Sequence, residues 1–358
     1  MNALVFLVVL ALAYVISTKL LEHFALQGLV ITRSFSKPAF FAGDEGEMIE
    51  IVRNDRPIII PWLRVESRVS PFLRLGRQAN LSSSDHTHYC SLFTLMPYQQ
   101  IRRKHRVTFL RRGEYNLGNA ALTAGDLFGL TAVCHEQQMD APVLVYPRLL
   151  SSAELPYPLS MIMNETVSRR YLLTDPFLIR GIRAYQPGDP VRDIHWPATA
   201  RMGQAQLRLH DDAAQSRLFV VLNVQSSESQ WSDRPTDIEQ ERIEYAISIA
   251  ATLCMHALKN GCSAGFSANM PLGEDTKPVF LPPDSGAETR EKLLSAFARL
   301  KMVRILSFTT FLDTLTACTD LEIIVLSCYD SEEIQLRLRR LRRNGCHVQL
   351  ALLEGGES

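Results

Sequence analysis

Two absences narrow the reading before any motif is considered. None of the seven cysteines (Cys90, Cys134, Cys254, Cys262, Cys318, Cys328 and Cys346) belongs to a Cys-x-x-Cys pair. An odd number at wide spacing builds neither a disulfide framework nor a structural zinc site, and it fits a reducing, cytoplasmic environment. Charge of one sign is lacking too: 38 Lys and Arg face 38 Asp and Glu. Such a chain has no global field drawing it onto nucleic acid or anionic lipid, so no nucleic-acid partner is expected and any basic contact must be local. The sequence also has no phosphate loop of the Gly-x-x-x-x-Gly-Lys type, no dinucleotide fingerprint and no nucleophile elbow. No cofactor is expected.

Among what is present, the strongest bias is at the N-terminus. Residues 3–16 carry no charge and include Leu4, Val5, Phe6, Leu7, Val8, Val9, Leu10 and Leu12. With flanking residues this is about one helical membrane crossing, which takes roughly 17 to 25 residues. A cleaved signal peptide is the alternative, but no basic stretch precedes the run and no small-x-small cleavage site follows it. The expectation is a transmembrane anchor over residues 1–18. Lys19, Arg33 and Lys37 follow the run, so the positive-inside rule points to an inner-membrane, single-pass protein with its bulk in the cytoplasm. Glu22, His23 and Gln27 argue against a second crossing.

Residues 27–148 read as strands, because short apolar and polar alternations are punctuated by Gly, Pro and Asn. Val65, Ser67 and Val69 share one face, and Arg64, Glu66 and Arg68 the other. Val107 and Phe109 continue the pattern, and Gly113 turns the chain before Tyr115 and Leu117. An antiparallel β-sandwich-like domain is expected. Residues 149–215 form a proline-rich connector in which Tyr171, Phe177, Tyr185 and Trp196 call for burial.

Residues 216–358 change rhythm to alternating strands and helices. The apolar run 218–222 suits a strand buried on both faces. Thr236 and Glu239 form a capping-box pair before Ile243, Ile247, Ala250, Cys254 and Ala257, and Gly261 offers a left-handed stop. Residues 263–267 suggest a strand, Leu293, Leu294, Phe297 and Leu300 a helix face, and 321–327 another strand. Ser331 caps a helix with Ile334, Leu338 and Leu341 inward, which Gly345 ends before a strand at 347–352. The class is thus α+β and multi-domain, with a mostly parallel, three-layer α/β (Rossmann-type) domain last.

Residues 180–201 carry the most specific stretch, Arg180-Gly181-Ile182-Arg183-Ala184-Tyr185-Gln186-Pro187-Gly188-Asp189-Pro190-Val191-Arg192-Asp193-Ile194-His195-Trp196-Pro197-Ala198-Thr199-Ala200-Arg201. With Arg111-Arg112-Gly113-Glu114-Tyr115, Gly125-Asp126-Leu127-Phe128-Gly129-Leu130 and Val145-Tyr146-Pro147, it resembles the domain-of-unknown-function family fifty-eight. Pro197 departs from that family's usual Lys, and Leu127 from a common Pro. The resemblance implies a membrane-anchored, bacterial protein with a C-terminal von Willebrand factor A-like domain, paired with a MoxR-type AAA+ ATPase and other membrane-complex proteins. It further implies a scaffold or assembly role, with Arg183, Tyr185, Gly188, Asp189, Arg192, His195, Trp196 and Arg201 in the family motif. The residues themselves, which supply no complete catalytic set, point to a partner interface and no enzyme activity.

Two other readings of the same residues remain open. A metal-binding von Willebrand factor A domain, acting as a Mg²⁺-dependent adhesion module, places an Asp-x-Ser-x-Ser loop after its first strand. Here that position reads Asn223-Val224-Gln225-Ser226-Ser227, a degenerate loop (Asn223, Gln225, Ser227) without the anionic ligand a hard cation needs. Cys328 replaces a second expected carboxylate, with Asp330 two residues on. A hydrolase could instead use Asp189 and His195, but a complete set of nucleophile, base and oxyanion donors is not present. Within the motif, pairing of Arg183 or Arg201 with Asp189 or Asp193, and packing of Trp196 between domains, would make a clamp. Lastly, Arg337, Arg339, Arg340, Arg342 and Arg343 oppose a helix dipole or meet lipid or protein.

Overall fold

The computed structural model describes residues 28–76, 88–125, 132–157, 159–161, 179–186, 191, 194–210, 217–230 and 232–353. The chain divides into two compact units, Met1–Arg148 and Leu149–Ser358. The expected anchor at residues 1–18 lies outside the described residues. Among those described, no helix is long and apolar enough to cross a membrane.

The first unit is built of strands β1 (Leu29–Phe35), β2 (Ala39–Phe41), β3 (Glu45–Asn54), β4 (Ile60–Arg68), β5 (Leu73–Leu75), β6 (His88–Leu95), β7 (Gln100–Phe109), β8 (Gly113–Asn116), β9 (Asn119–Gly125), β10 (Ala132–Gln138) and β11 (Pro142–Tyr146). They form sheets in the orders β1-β3-β7-β5, β10-β9-β4-β6 and β2-β11-β8. The pairs are antiparallel except β2 with β11, which run parallel. Alternation explains the packing. Leu29, Ile31 and Val52 of the first sheet meet Leu63, Val65, Phe93 and Leu122 of the second, while their neighbours in sequence turn to solvent. A separate apolar cluster, including Phe40, Met48, Leu73, Val107, Phe109 and Val145, fills the other end. Gly113, at φ 157°, opens β8 and lets the Tyr115 ring close over it. The Tyr115 hydroxyl then donates to the Arg111 carbonyl at 2.8 Å, which accounts for the Arg-Arg-Gly-Glu-Tyr stretch.

One sequence expectation changes. Arg33, counted among the cations flanking the apolar run, is buried in the sandwich and paired with Glu50. Its strand phase, shared with Ile31 and Phe35, carries it inward, so it is not a membrane-flanking charge.

The second unit centres on a five-stranded sheet of order β16-β15-β14-β17-β18, from β14 (Arg217–Leu222), β15 (Ser263–Pro271), β16 (Pro278–Asp284), β17 (Glu322–Ser327) and β18 (His347–Leu352). Only β16 runs antiparallel to its neighbour. β14 is buried on both faces, as its unbroken apolar run predicts. Leu218, Val220 and Leu222 enter one core with Ile247, Ala250 and Phe297. Phe219 and Val221 enter the other with Phe308, Ile334, Leu338 and Leu341. Three layers result, the helices lying on both faces.

The long helix Asp237–Lys259 starts at the expected capping box, with both reciprocal bonds between Thr236 and Glu239 present. The helices Ala287–Arg299 and Glu332–Arg343 sit where the apolar spacing put them. Beside the elements of the 149–215 connector, two further ones go beyond the sequence reading. One is β16, whose Pro278, Pro282 and Pro283 look like breakers but are tolerated on an edge strand. The other is Phe308–Thr314, a helix too short for periodicity to register.

Candidate functional site

The family-motif block folds as a strand, a helix and a returning strand. β12 (Ile179–Ala184) pairs antiparallel with β13 (Gln206–His210), and between them lies α1 (Trp196–Met202). The His195 imidazole caps α1, its Nδ1 accepting from the Ala198 amide at 3.0 Å. Pro197 occupies the first turn, where a missing N–H is no loss, and Gly203 ends the helix in the left-handed region at φ 67°. The departure at position 197 therefore suits the local fold. The His195 amide donates to the Gln206 carbonyl at 2.7 Å, and the Gln206 amide to Thr199 Oγ1 at 3.0 Å. These backbone ties bind α1 to β13 over the small buried pair Ile194 and Leu207.

Because main-chain bonds hold it, α1 needs no buried face and has none. Trp196 is 65% exposed and Met202 70%, with Val191 and Ile182 exposed as well. The expectation that Trp196 would be buried is thus corrected. Arg183 donates to the Ala184 carbonyl at 3.1 Å, Tyr185 is half-buried and Arg201 is exposed in the last turn of α1. Gly188, Asp189, Arg192 and Asp193 lie outside the described residues, and with them the expected arginine–aspartate clamp and half of the Asp189–His195 pair.

The degenerate metal loop sits at the carboxyl ends of β14 and β17, where connections leave in opposite directions and α/β proteins place their ligands. Asn223 Nδ2 donates to Ser327 Oγ at 3.0 Å. Asn223 Oδ1 accepts from the Gln225 amide at 3.0 Å and from Asn269 Nδ2 at 3.4 Å. Asn269 Oδ1 accepts from the Val224 amide at 2.9 Å, Gln225 Oε1 from the Phe308 amide, and the Ser327 hydroxyl donates to the Tyr329 carbonyl at 2.6 Å. Asn223, Gln225, Asn269 and Ser327 are buried, so the crevice is filled by a neutral network whose members satisfy one another. Ser227 is exposed and stands apart. Asp330 turns away, accepting from Gln335 Nε2 at 2.7 Å, and burial pushes the Cys328 thiol pKa up. Among the described residues no three His, Cys, Asp or Glu side chains gather as metal ligands.

A second network, which the sequence reading missed, lies between the sheets of the first unit. Arg33 donates to Glu50 Oε1 through Nε at 2.9 Å and through a terminal nitrogen at 2.7 Å, and also to Ser67 Oγ. Glu50 Oε2 accepts from Tyr89 at 3.1 Å and Ser91 at 3.1 Å, with His105 Nε2 at 3.3 Å. All six side chains are buried. Burial alone would raise the Glu50 pKa, but the His105 hydrogen bond and the Arg33 charge and hydrogen bond outweigh it and hold it at about 2. Burial, reinforced by the Glu50 charge, pushes the Tyr89 hydroxyl well above its usual value. His105 Nδ1 is buried without a hydrogen-bond partner. The network separates the two apolar clusters of the sandwich and opens onto no solvent.

The arginine-rich helix Glu332–Arg343, α5 here after the helices Asp237–Lys259 (α2), Ala287–Arg299 (α3) and Phe308–Thr314 (α4), uses three of its cations internally. Arg337 and Arg340 meet Asp313 at 3.2 and 3.7 Å, and Arg342 donates to the Val348 carbonyl at 3.0 Å.

A family model described as "Protein of unknown function DUF58" matches residues 181–312. The match takes in the strand–helix–strand block and the sheet as far as α4. The similar stretches at 111–115, 125–130 and 145–147 fall outside it. "Uncharacterized protein YeaD" of Bacillus subtilis (strain 168) is 21% identical over 261 residues, 72% of this chain and 60% of that protein, so the chain spans well under the relative's full length. Likeness to solved structures is slight. A CARDB domain from Pyrococcus furiosus, solved with di-metal ions, gives a TM-score of 0.22 at 15% identity, over 34% of this chain and 96% of that one. The α-2-macroglobulin of Escherichia coli gives 0.27 at 12% identity, over 34% and 24%. At such scores neither carries an argument about fold or chemistry.

Proposed function

We propose that the chain is a membrane-anchored scaffold that works by protein–protein contact, with the strand–helix–strand block as its partner surface. The observation that carries this reading is the exposed apolar group on and beside α1, with Trp196 and Met202 outermost. Tryptophan left in water on a rigid element, beside an unburied Met and Arg201, is the composition of an interface centre. The partner class the family resemblance implies is a MoxR-type AAA+ ATPase, and residues 3–16 supply the anchor in the inner membrane with the body in the cytoplasm. The second unit we read as von Willebrand factor A-like, on the strength of its strand order and its crevice position.

The competing readings have less support. In the neutral imidazole of His195 the one nitrogen lone pair accepts the helix cap at Nδ1, which takes it from a general base. A Mg²⁺ adhesion site would have to displace a closed set of amides and would find no carboxylate among them.

Trp196→Ala in the full chain tests the surface. Its melting temperature should stay close to wild type, since exposed substitutions shift stability by only about 0.5 kcal/mol. Binding to the purified ATPase should weaken by about 30-fold, the cost of a hot-spot residue at about 2 kcal/mol. Unchanged affinity would remove the block from the interface.

A further inference from the structure

The two ends of the β unit differ in a way the assembly reading leaves unexplained. At one end lie the start of β1, the β3–β4 loop and the β6–β7 turn. The Asp55 amide donates to the Gly28 carbonyl at 3.1 Å, and the Tyr98 amide to the Arg56 carbonyl at 3.0 Å. The buried Asn54 Nδ2 ties the loops together, donating to the Ile58 carbonyl at 2.8 Å and to the Met96 carbonyl at 3.0 Å. On this fixed platform the side chains are apolar and face water: Tyr98 is 70% exposed and Met96 53%, with Ile58 and Ile59 exposed beside them. Tyr98 also sits at φ 55°, a left-handed conformation that a bulky side chain adopts only under constraint. Arg53 and Arg56 precede Ile58 in sequence, Arg53 paired with Asp55 at 2.9 Å and Arg56 half-buried against Gly28, and Asp55 is the one carboxylate in the two loops.

The chain enters the unit at this same end, at Gly28, directly after residues 1–27 with their uncharged apolar run. It leaves from the other end, where the Ala42 amide donates to the Tyr146 carbonyl at 2.9 Å and the Gly43 amide to the Phe109 carbonyl at 2.6 Å. We infer that the Ile58–Ile59 and Met96–Tyr98 loops are a lipid-facing surface that rests in the headgroup region of the bilayer. Tyrosine with a wet hydroxyl, branched aliphatics and methionine beneath it, and arginines nearby are the side chains that favour the membrane interface. The segment that precedes Gly28 holds the platform within reach of the bilayer. This inference rests on the anchor reading of residues 3–16.

The test uses the full chain in vesicles of phosphatidylethanolamine and tritiated phosphatidylglycerol, with Tyr98→p-benzoylphenylalanine and, separately, Met96→p-benzoylphenylalanine. Leu110→p-benzoylphenylalanine, at the opposite end of the sandwich and exposed, is the control. Illumination should attach radioactive lipid at 98 and 96 several-fold more than at 110. Flotation of the same samples reports the anchor independently. Chains that float but give no more lipid adduct at 98 and 96 than at 110 overturn the loop assignment and leave the anchor standing. Adducts to protein instead of lipid at those positions overturn it in favour of a protein partner. Chains that do not float overturn both.

Discussion

In the β unit the buried polar cluster between the sheets is charged, an arginine and a glutamate with two hydroxyls, a phenol and an imidazole around them. In the α/β unit the buried polar groups among the described residues are amides and hydroxyls. The first network sits between two sheets, where no ligand could reach it. The second fills the crevice where ligands of this fold class bind. Buried charge in one unit therefore serves to fix how two sheets meet. Buried neutrality in the other closes a place where chemistry would be expected. Residue type alone would have suggested the reverse, since an Arg, Glu, His, Tyr and Ser together look like catalytic machinery and two asparagines do not.

The largest expected effect breaks the charged network. Glu50→Gln leaves the Arg33 guanidinium buried without its counter-charge, which costs about 3 to 5 kcal/mol. Denaturant unfolding followed by a probe in the β unit should record that loss. The double change Arg33→Met with Glu50→Leu should recover most of it, because apolar replacement of a whole buried pair is often neutral. A single change costing no more than a surface substitution would show that the pair contributes nothing to the sandwich.

Acid sharpens the comparison next. The Glu50 pKa is depressed from the usual 4.5 to about 2. A depressed carboxylate contributes stability that is complete above its unfolded pKa and is lost as pH falls through the folded one. The contribution is roughly 3 kcal/mol at about 1.4 kcal/mol per pKa unit. Stability of the β unit should thus fall between about pH 5 and pH 2, and Glu50→Gln should flatten that slope. The crevice network carries no carboxylate and should add nothing to the acid dependence of the α/β unit.

Much of this fold was legible in the sequence for a simple reason: period-two and period-3.6 patterns report burial, and burial decides the elements. The run 218–222 and the Thr236–Glu239 box both placed their elements. The charged network was legible as well, in the positions of its members. Arg33 keeps phase with Ile31 and Phe35, Glu50 with Met48 and Val52, Tyr89 and Ser91 with Phe93, and His105 with Val107 and Phe109. A polar residue in phase with a buried face must find a partner, and four strands each offering at least one imply a shared cluster. The signal lies in the strands taken together, and no single strand carries it. The lipid-facing loops were less legible, since turn sequences such as Arg56-Pro57-Ile58-Ile59 and Met96-Pro97-Tyr98 have no periodicity, and only pairing of the strand ends brings them together. Exposure of Trp196 could not be read from residue type, because main-chain bonds and a histidine cap replace the burial a tryptophan usually brings.

The smallest expected effect probes the neutral crevice. Asn223→Asp keeps the acceptor that Gln225 and Asn269 use but removes the donor to Ser327 Oγ. The Ser327 hydroxyl can turn to the new carboxylate only by leaving the Tyr329 carbonyl without its donor. One buried group is left unpaired either way, at about 1 to 3 kcal/mol, and the new charge is desolvated as well. A lower melting temperature in Asn223→Asp, unchanged by added Mg²⁺, is the expected outcome. Recovery on adding Mg²⁺ would mean that the crevice still coordinates a cation once its carboxylate is restored, since a ligand that binds only the folded state raises stability by RT ln(1 + L/Kd), L being its free concentration. The amide at position 223 would then be what holds the α/β crevice closed to cations.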